Sequence, residues 1–208
     1  MVKKILIHGS GHKAISWQET ISYMKDQKNI LCPDLYSILN GQDATYENLY
    51  TSFVEYCSRI DGQIHLVGLS LGGIIAMNYA LDFPEKVKTL VVIGTPHKIP
   101  KVAFEIQNVI FRFFPKSVFK EMAFDKKDTF ALGNSIKKLE IADRMQEIKC
   151  PVLVICGEKD RANKKSVYYF SENIENVALC MIEKTGHVVN EENPKELARI
   201  LNEYYDGK

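Results

Sequence analysis

An α/β fold, with a mostly parallel six-stranded sheet flanked by helices, is predicted by three features of this sequence. Short apolar runs alternate with segments of helical spacing along most of the chain. The connections between the runs are long enough to carry helical crossovers, which parallel strands require. A Gly-Leu-Ser-Leu-Gly pentapeptide, Gly68 to Gly72, sits where one strand pattern ends and a helix pattern begins.

Taken in order, Val2 to Ile7 reads as the first strand, and His8-Gly9-Ser10-Gly11-His12 as a glycine-rich loop whose backbone N–H groups can face a cavity. A helix is expected from about Ile15 to Lys25, with Trp17 and Tyr23 as its large residues, and a second strand over Asn29–Pro33. Asp34 to Thr45 reads as a loop punctuated by Asn40-Gly41. The next helix opens at Thr45 and continues to about Arg59, with Leu49, Phe53 and Tyr56 on its apolar face and Asp61-Gly62 as its stop. Ile64, Leu66 and Val67 flank His65 in a buried strand; Gly73 to Leu81 follows with Ile74, Met77 and Leu81 on one helical face. Val87–Ile93 and Cys150–Cys156 are further strands, and Val177–Ile182 is the last. Helices are expected over roughly Lys164–Ser171 and Pro194–Tyr205.

Between Lys98 and Ile148 the alternation lapses into helical patterns alone. Val102, Ile106, Val109, Ile110 and Phe113 share one face there, with Phe104, Phe111 and Phe114 around it. The spacing fits either an ordinary buried helix or a lid over an apolar pocket, inserted at about 98–148 into a single domain spanning 1–208.

The bulk numbers narrow the function classes. The chain has 208 residues, 46% hydrophobic and 25% charged, with a net charge of +1. That balance gives no electrostatic reason to expect nucleic acid or an anionic membrane as partner. The run Ile5-Leu6-Ile7 is too short for a signal-peptide core, and no stretch is long enough to span a bilayer. Cys32, Cys57, Cys150, Cys156 and Cys180 are odd in number and form no CxxC pair, so they read as small core hydrophobes in a reducing cytoplasm. Oligomeric state is not encoded in these patterns.

A sharp turn between strand and helix would lift the Ser70 side chain clear of the sheet, with the helix N-terminus pointing at any negative charge that develops beside it. A serine hydroxyl is a poor nucleophile until a base takes its proton. Of five histidines, His8 is expected to hold the glycine loop and His65 to be a satisfied sheet-face residue, while His12 and His97 are candidates for substrate contact. His187, in Thr185-Gly186-His187-Val188-Val189 after the last strand, has the place a base needs, a loop at the carboxyl end of the sheet. The base needs a carboxylate to fix its tautomer. Asp160 ends the strand turn Gly157-Glu158-Lys159-Asp160; Glu158 and Glu183 are weaker alternatives, and capping of the following helix is the competing role for Asp160.

The order serine, acid, histidine, on these landmarks, resembles the α/β-hydrolase superfamily over nearly the whole chain. His8-Gly9-Ser10-Gly11 is similar to the family's HGxG loop, Cys32-Pro33-Asp34-Leu35 to its PDL segment, Gly68 to Gly72 to its nucleophile elbow, and Gly157–Asp160 with Gly186-His187 to its acid and histidine loops. Two departures stand out. The family's first two antiparallel strands are absent, and Tyr36-Ser37-Ile38 stands where many members carry a glycine-histidine-glycine turn. The resemblance implies a reduced core of six strands and a serine hydrolase, most simply a carboxylesterase for small or medium apolar esters. Ser70, His187 and Asp160 would be its triad, and the backbone N–H groups of Ser10 and Leu71 its oxyanion hole, with Gly9 or Gly11 as fallback for Ser10. It implies no metal and no organic cofactor. A thioester, an amide or a carbon–carbon bond is the alternative target of the same triad, and a non-catalytic small-ligand binder is the alternative from another class.

Overall fold

The computed structural model describes residues 2–99, 124–137 and 139–206. Six strands form one sheet: β1 (Lys3–Ile7), β2 (Ile30–Leu31), β3 (Ile64–Leu69), β4 (Val87–Ile93), β5 (Val152–Gly157) and β6 (Val177–Ile182). Their order is β2-β1-β3-β4-β5-β6, and every neighbouring pair is parallel. The chain leaves β1 toward β2 on one side and returns to β3 on the other. The crevice between the carboxyl ends of β1 and β3 is therefore the topological switch point, where open α/β sheets place their ligands.

Side-chain alternation sorts the apolar residues onto two faces. Ile5, Ile7, Leu66, Leu90, Val92 and Val154 join one core with helices α3 (Tyr46–Ser58), α4 (Leu71–Asp82), α5 (Lys126–Ile136) and α6 (Lys164–Asn173). Leu6, Val67, Leu69, Val91, Ile93 and Ile155 join the other with Trp17 and with Leu197 and Leu201 of α8 (Pro194–Asp206). The central strands are thus buried on both sides, which is why they read as continuous apolar runs. Every residue of α4 from Leu71 to Leu81 is buried, so this helix is enclosed rather than laid on the surface. In α3 the Thr45 hydroxyl accepts the Asn48 N–H at 3.2 Å, capping a helix whose buried face is Leu49, Phe53 and Cys57.

The elements differ from expectation in four places. The first helix begins as a 3₁₀ turn over Ala14–Trp17, and its α-helical part, α1, covers only Gln18–Tyr23. The second strand shrinks to Ile30–Leu31, because Gln27–Asn29 coil into a 3₁₀ turn before it and Pro33 follows it. The loop after it holds a short helix, α2 (Leu35–Ile38), capped by the Asp34 carboxylate on the Ser37 N–H at 3.0 Å. A further short helix, α7 (Val189–Glu192), precedes α8. The apolar stretch from Val102 to Phe114 lies outside the described residues; within 98–148 the structure shows α5 and a 3₁₀ turn over Ala142–Glu147. Among the described residues no helix is long and apolar enough to cross a membrane, and all five cysteines are free thiols.

His65 on β3 is buried, its Nδ1 2.7 Å from Thr89 Oγ1 and its ring 4.8 Å from that of Tyr205. Burial, with Lys88 and Lys4 nearby, pulls its pKa from 6.5 down to about 4. Below pH 6.5 the unfolded chain takes up a proton that the folded chain refuses, so stability falls as the pH drops toward 4. His65→Gln is expected to flatten that acid slope, by at most about 3 kcal/mol over the interval. Denaturant titrations at pH 7, 5.5 and 4 measure it; parallel slopes in the two proteins would refute it.

Candidate active site

The geometry begins with the reversal at Ser70. β3 ends at Leu69, α4 begins at Leu71, and Ser70 between them adopts φ 52° and ψ −111°. A non-glycine residue held at such angles costs about 1–3 kcal/mol. Ser70 N–H donates to the Ile93 carbonyl at 2.9 Å, and Ile74 N–H to the Ser70 carbonyl at 3.1 Å. Ile74 is thus the first residue of α4 to donate within the helix, and the N–H groups of Leu71, Gly72 and Gly73 are left at its open end. The turn closes this tightly because of its glycines: a β-carbon on Gly72 would fall 2.2 Å from the Ile7 carbonyl oxygen, and one on Gly68 2.3 Å from that of Gly72.

The loop after β1 borders the same spot. His12 N–H donates to the Gly9 carbonyl at 3.1 Å, closing a turn with Ser10 and Gly11 at its corners. His8 is fully buried and ties this loop to α2. Its Nε2 accepts the Leu35 N–H at 3.0 Å, which leaves the proton on Nδ1, 2.9 Å from the Gly9 carbonyl. Burial lowers its pKa, in keeping with a neutral ring.

Asp160 and His187 follow β5 and β6. β6 stands three strands from β3, about 14 Å away at normal strand spacing. The loop after β6 crosses that gap by lying on the strand ends. Its Thr185 and Gly186 carbonyls press on Gly157, where a β-carbon would meet the Gly186 oxygen at 2.0 Å. At Gly94, just past β4 and at φ +52°, a β-carbon would sit 3.0 Å from His187 Nδ1 and 3.2 Å from Asp160 Oδ2. Ile93, next to Gly94, holds the Ser70 N–H, so the His187 ring stands one residue from the Ser70 backbone contact. His187 Nδ1 lies 2.7 Å from Asp160 Oδ2. With Nδ1 donating there, Nε2 is the ring nitrogen left as an acceptor. Burial pushes the Asp160 carboxyl up, but the hydrogen bonds from His187 and Asn163 outweigh it and hold the group below the usual carboxylate range.

Two side chains that sequence reasoning passed over complete this arrangement. Asn163 Nδ2 donates to Asp160 Oδ2 at 2.8 Å, and its backbone N–H approaches Oδ1 at 3.3 Å. The Glu192 carboxylate accepts Gly186 N–H at 2.6 Å and Val188 N–H at 3.1 Å, one peptide on each side of His187. A carboxylate five residues past the histidine was the available signal for Glu192; Asn163, three residues past the acid, carried none. Glu158 accepts the Lys184 N–H at 2.8 Å and so braces the turn after β6, while Asp160 is the carboxylate at hydrogen-bond distance from His187.

Ser10, Ser70 and Leu71 line one cleft together with Ile74, Pro96, Phe124, Leu132 and Ile136. Ser70 and the loop after β1 therefore face a mostly apolar wall to which the 98–148 segment contributes Phe124, Leu132 and Ile136. His12 packs against the glycine loop, its Nδ1 3.2 Å from where a Gly9 β-carbon would lie and its Nε2 3.9 Å from Glu191. His97 is turned elsewhere: it stacks on Tyr169 at 4.3 Å, bonds Ser166 Oγ at 3.0 Å and lines a separate cavity.

Residues 5–200 match the model of the alpha/beta hydrolase family. The (E)-2-((N-methylformamido)methylene)succinate hydrolase of Acinetobacter baylyi is 21% identical over 239 residues, covering 97% of this chain and 89% of its own. Lipase 3 of a Moraxella species is 22% identical over 245 residues, covering 98% and 77%. Among solved structures, a thermophilic esterase from Thermogutta terrifontis aligns with a TM-score of 0.80 at 19% identity, covering 100% of this chain and 90% of its own. At that identity the structural likeness is one of fold.

Removing the Glu192 carboxylate frees the two peptides that hold His187 in place. Glu192→Ala is expected to lower kcat by about ten- to a hundred-fold with KM little changed, as ring misplacement does. Steady-state kinetics on a chromogenic ester checks it, and a change confined to KM would contradict it.

Proposed function

This chain belongs to the alpha/beta hydrolase family, and from that premise we propose that it is a serine carboxylesterase acting on small or medium apolar esters. The observation that carries the reading is the Asp160–His187 hydrogen bond, set over Gly94 beside the Ser70 turn. Ser70 Oγ attacks the ester carbonyl while His187 Nε2 takes its proton. Asp160 holds Nδ1–H and stabilises the imidazolium that forms. The carbonyl oxygen becomes an oxyanion, which the N–H groups of Leu71 and Ser10 receive; one such donor is worth about 3–4 kcal/mol. His187 returns the proton to the departing alcohol, leaving an acyl group on Ser70, and water repeats the sequence with the acyl-enzyme as substrate.

Residues 98–148 act as the insertion that selects substrate within the single domain. Phe124, Leu132 and Ile136, all from this segment, are part of the apolar wall that an acyl or alkyl group would meet. The free, buried or half-buried thiols fit a reducing compartment, and we place the protein in the cytoplasm.

Ser70→Ala and His187→Ala are each expected to remove hydrolysis of p-nitrophenyl butyrate, a loss of about 10⁴-fold or more, with circular dichroism unchanged. A fluorophosphonate probe should label the wild-type chain and not Ser70→Ala. Activity persisting in Ser70→Ala would end the mechanism. Leu132→Trp, which fills the wall, should move the preference toward acetate over longer acyl esters by about ten-fold in kcat/KM. An unchanged chain-length profile would remove α5 from the acyl pocket.

A further inference from the structure

The sheet has two edges, and the chain treats them differently. At one, β2 has only two residues and is closely followed by Pro33, so little is offered to an incoming strand. At the other, β6 runs six residues, Val-Ala-Leu-Cys-Met-Ile, with neither charge nor proline and in unbroken register with β5. Among the described residues no strand pairs with its outer side. Leu179 and Met181 are each 44% exposed on this strand, and Tyr168 of α6 beside them is 67% exposed. With Val167 and Lys164 they line one shallow apolar groove.

Charge is distributed unevenly along this edge. The crossover helix α6 runs opposite to the strands it connects, so its first turn lies beside the carboxyl end of β6. Lys159, Arg161, Lys164, Lys165 and Lys184 gather at that end, against Glu158 and Glu183. Glu172 and Glu175 mark the opposite end. A two-fold axis normal to the sheet reverses one copy against the other, laying each basic end on an acidic end while two outer N–H and C=O rows face each other antiparallel. An anionic membrane would meet Glu172 and Glu175 as well as the lysines and would leave the strand's hydrogen bonds unmade.

We propose that the occupant of this edge is a second copy of the chain, with β6 paired to β6 and the two six-stranded sheets continuous. Leu179, Met181 and Tyr168 form the apolar centre of the seam, and the charged ends set its direction. No residue of the Ser70 cleft takes part, so the assembly stands independently of the esterase reading.

Sedimentation velocity should find the purified chain at twice its protomer mass of 23.7 kDa. Leu179→Lys combined with Met181→Lys is expected to weaken dimerisation by about a hundred-fold or more, since like charges then meet at the seam. Glu172→Lys with Glu175→Lys should weaken it by about ten-fold by setting like charges end to end. Adding Lys164→Glu and Lys165→Glu to that chain should restore the dimer. All three sets change surface positions, and far-UV circular dichroism verifies that each folds. The proposal is overturned if the wild type sediments as a monomer throughout the micromolar range, or if the double lysine variant dimerises undiminished. Failure of the second charge reversal to restore association, or recovery of a monomer on phosphatidylserine vesicles, would overturn it too.

Discussion

The backbone reversal at Ser70 is the constraint on which the rest of the molecule depends. A strand must end, turn through φ 52° and start a helix whose first residues touch the carbonyls of the neighbouring strand. The local strain of about 1–3 kcal/mol is small beside what α4 returns. Each buried Leu, Ile or Met side chain contributes about 1.5–3 kcal/mol, and Ile74, Ile75 and Met77 are all at or below 2% exposure. A helix enclosed on every side cannot relax outward to relieve the turn. The strain is thus held by packing, and Ser70 stays fixed at the turn between β3 and α4.

A second requirement follows from strand order. The proposed oxyanion donors, Ser10 and Leu71, come from β1 and β3, which are neighbours, so they converge without any long excursion. The proposed acid and base, Asp160 and His187, follow β5 and β6, and β6 is three strands away from Ser70. The loop after β6 can reach across because it lies flat on strand ends, with Gly157 and Gly94 beneath it. It is then held from three directions: Asp160 on the ring, Glu192 on the two flanking peptides, and Glu158 on the turn at Lys184. The depressed carboxyl of Asp160 expresses the same geometry electrostatically, since its hydrogen bonds exceed the cost of its burial.

Much of this was legible in the sequence because the signals are local or ordered. Ser70 announces itself by two flanking glycines between strand and helix patterns, and Asp160 and His187 by standing just past apolar strands. The parallel sheet was legible because strands buried on both faces leave uninterrupted apolar runs. What escaped depends on neighbours that no local pattern names. The run from Asn29 to Pro33 looks like the other strands, yet among the described residues it is an edge with β1 as its one partner, and a 3₁₀ turn and a proline crowd it from both sides. His97 follows a strand just as a site residue would, but Ser166 and Tyr169 of α6 draw it away. Asn163 and Glu192 act through backbone and second partners, and a side chain's usefulness there appears only once the loop has a position. The phenylalanine-rich stretch before α5 lies outside the described residues.

The two halves of the site differ in how they should respond to change. Ser70, Leu71 and Ser10 rest on adjacent strand ends and a helix enclosed by the core, so moving them means moving the sheet. His187 rests on a crossing loop whose anchors are individual hydrogen bonds, each worth about 1.5–3 kcal/mol when one partner is charged. Opposite both stands a wall from α5 that belongs to neither, since Leu132 and Ile136 take no part in the hydrogen-bond chain around His187. In the proposed reading, chemistry and substrate choice are therefore carried by separate parts of the chain. Substitutions in α5 can reshape the wall without touching the sheet ends, a division that would let the proposed arrangement of Ser70, His187 and Asp160 serve different acyl groups.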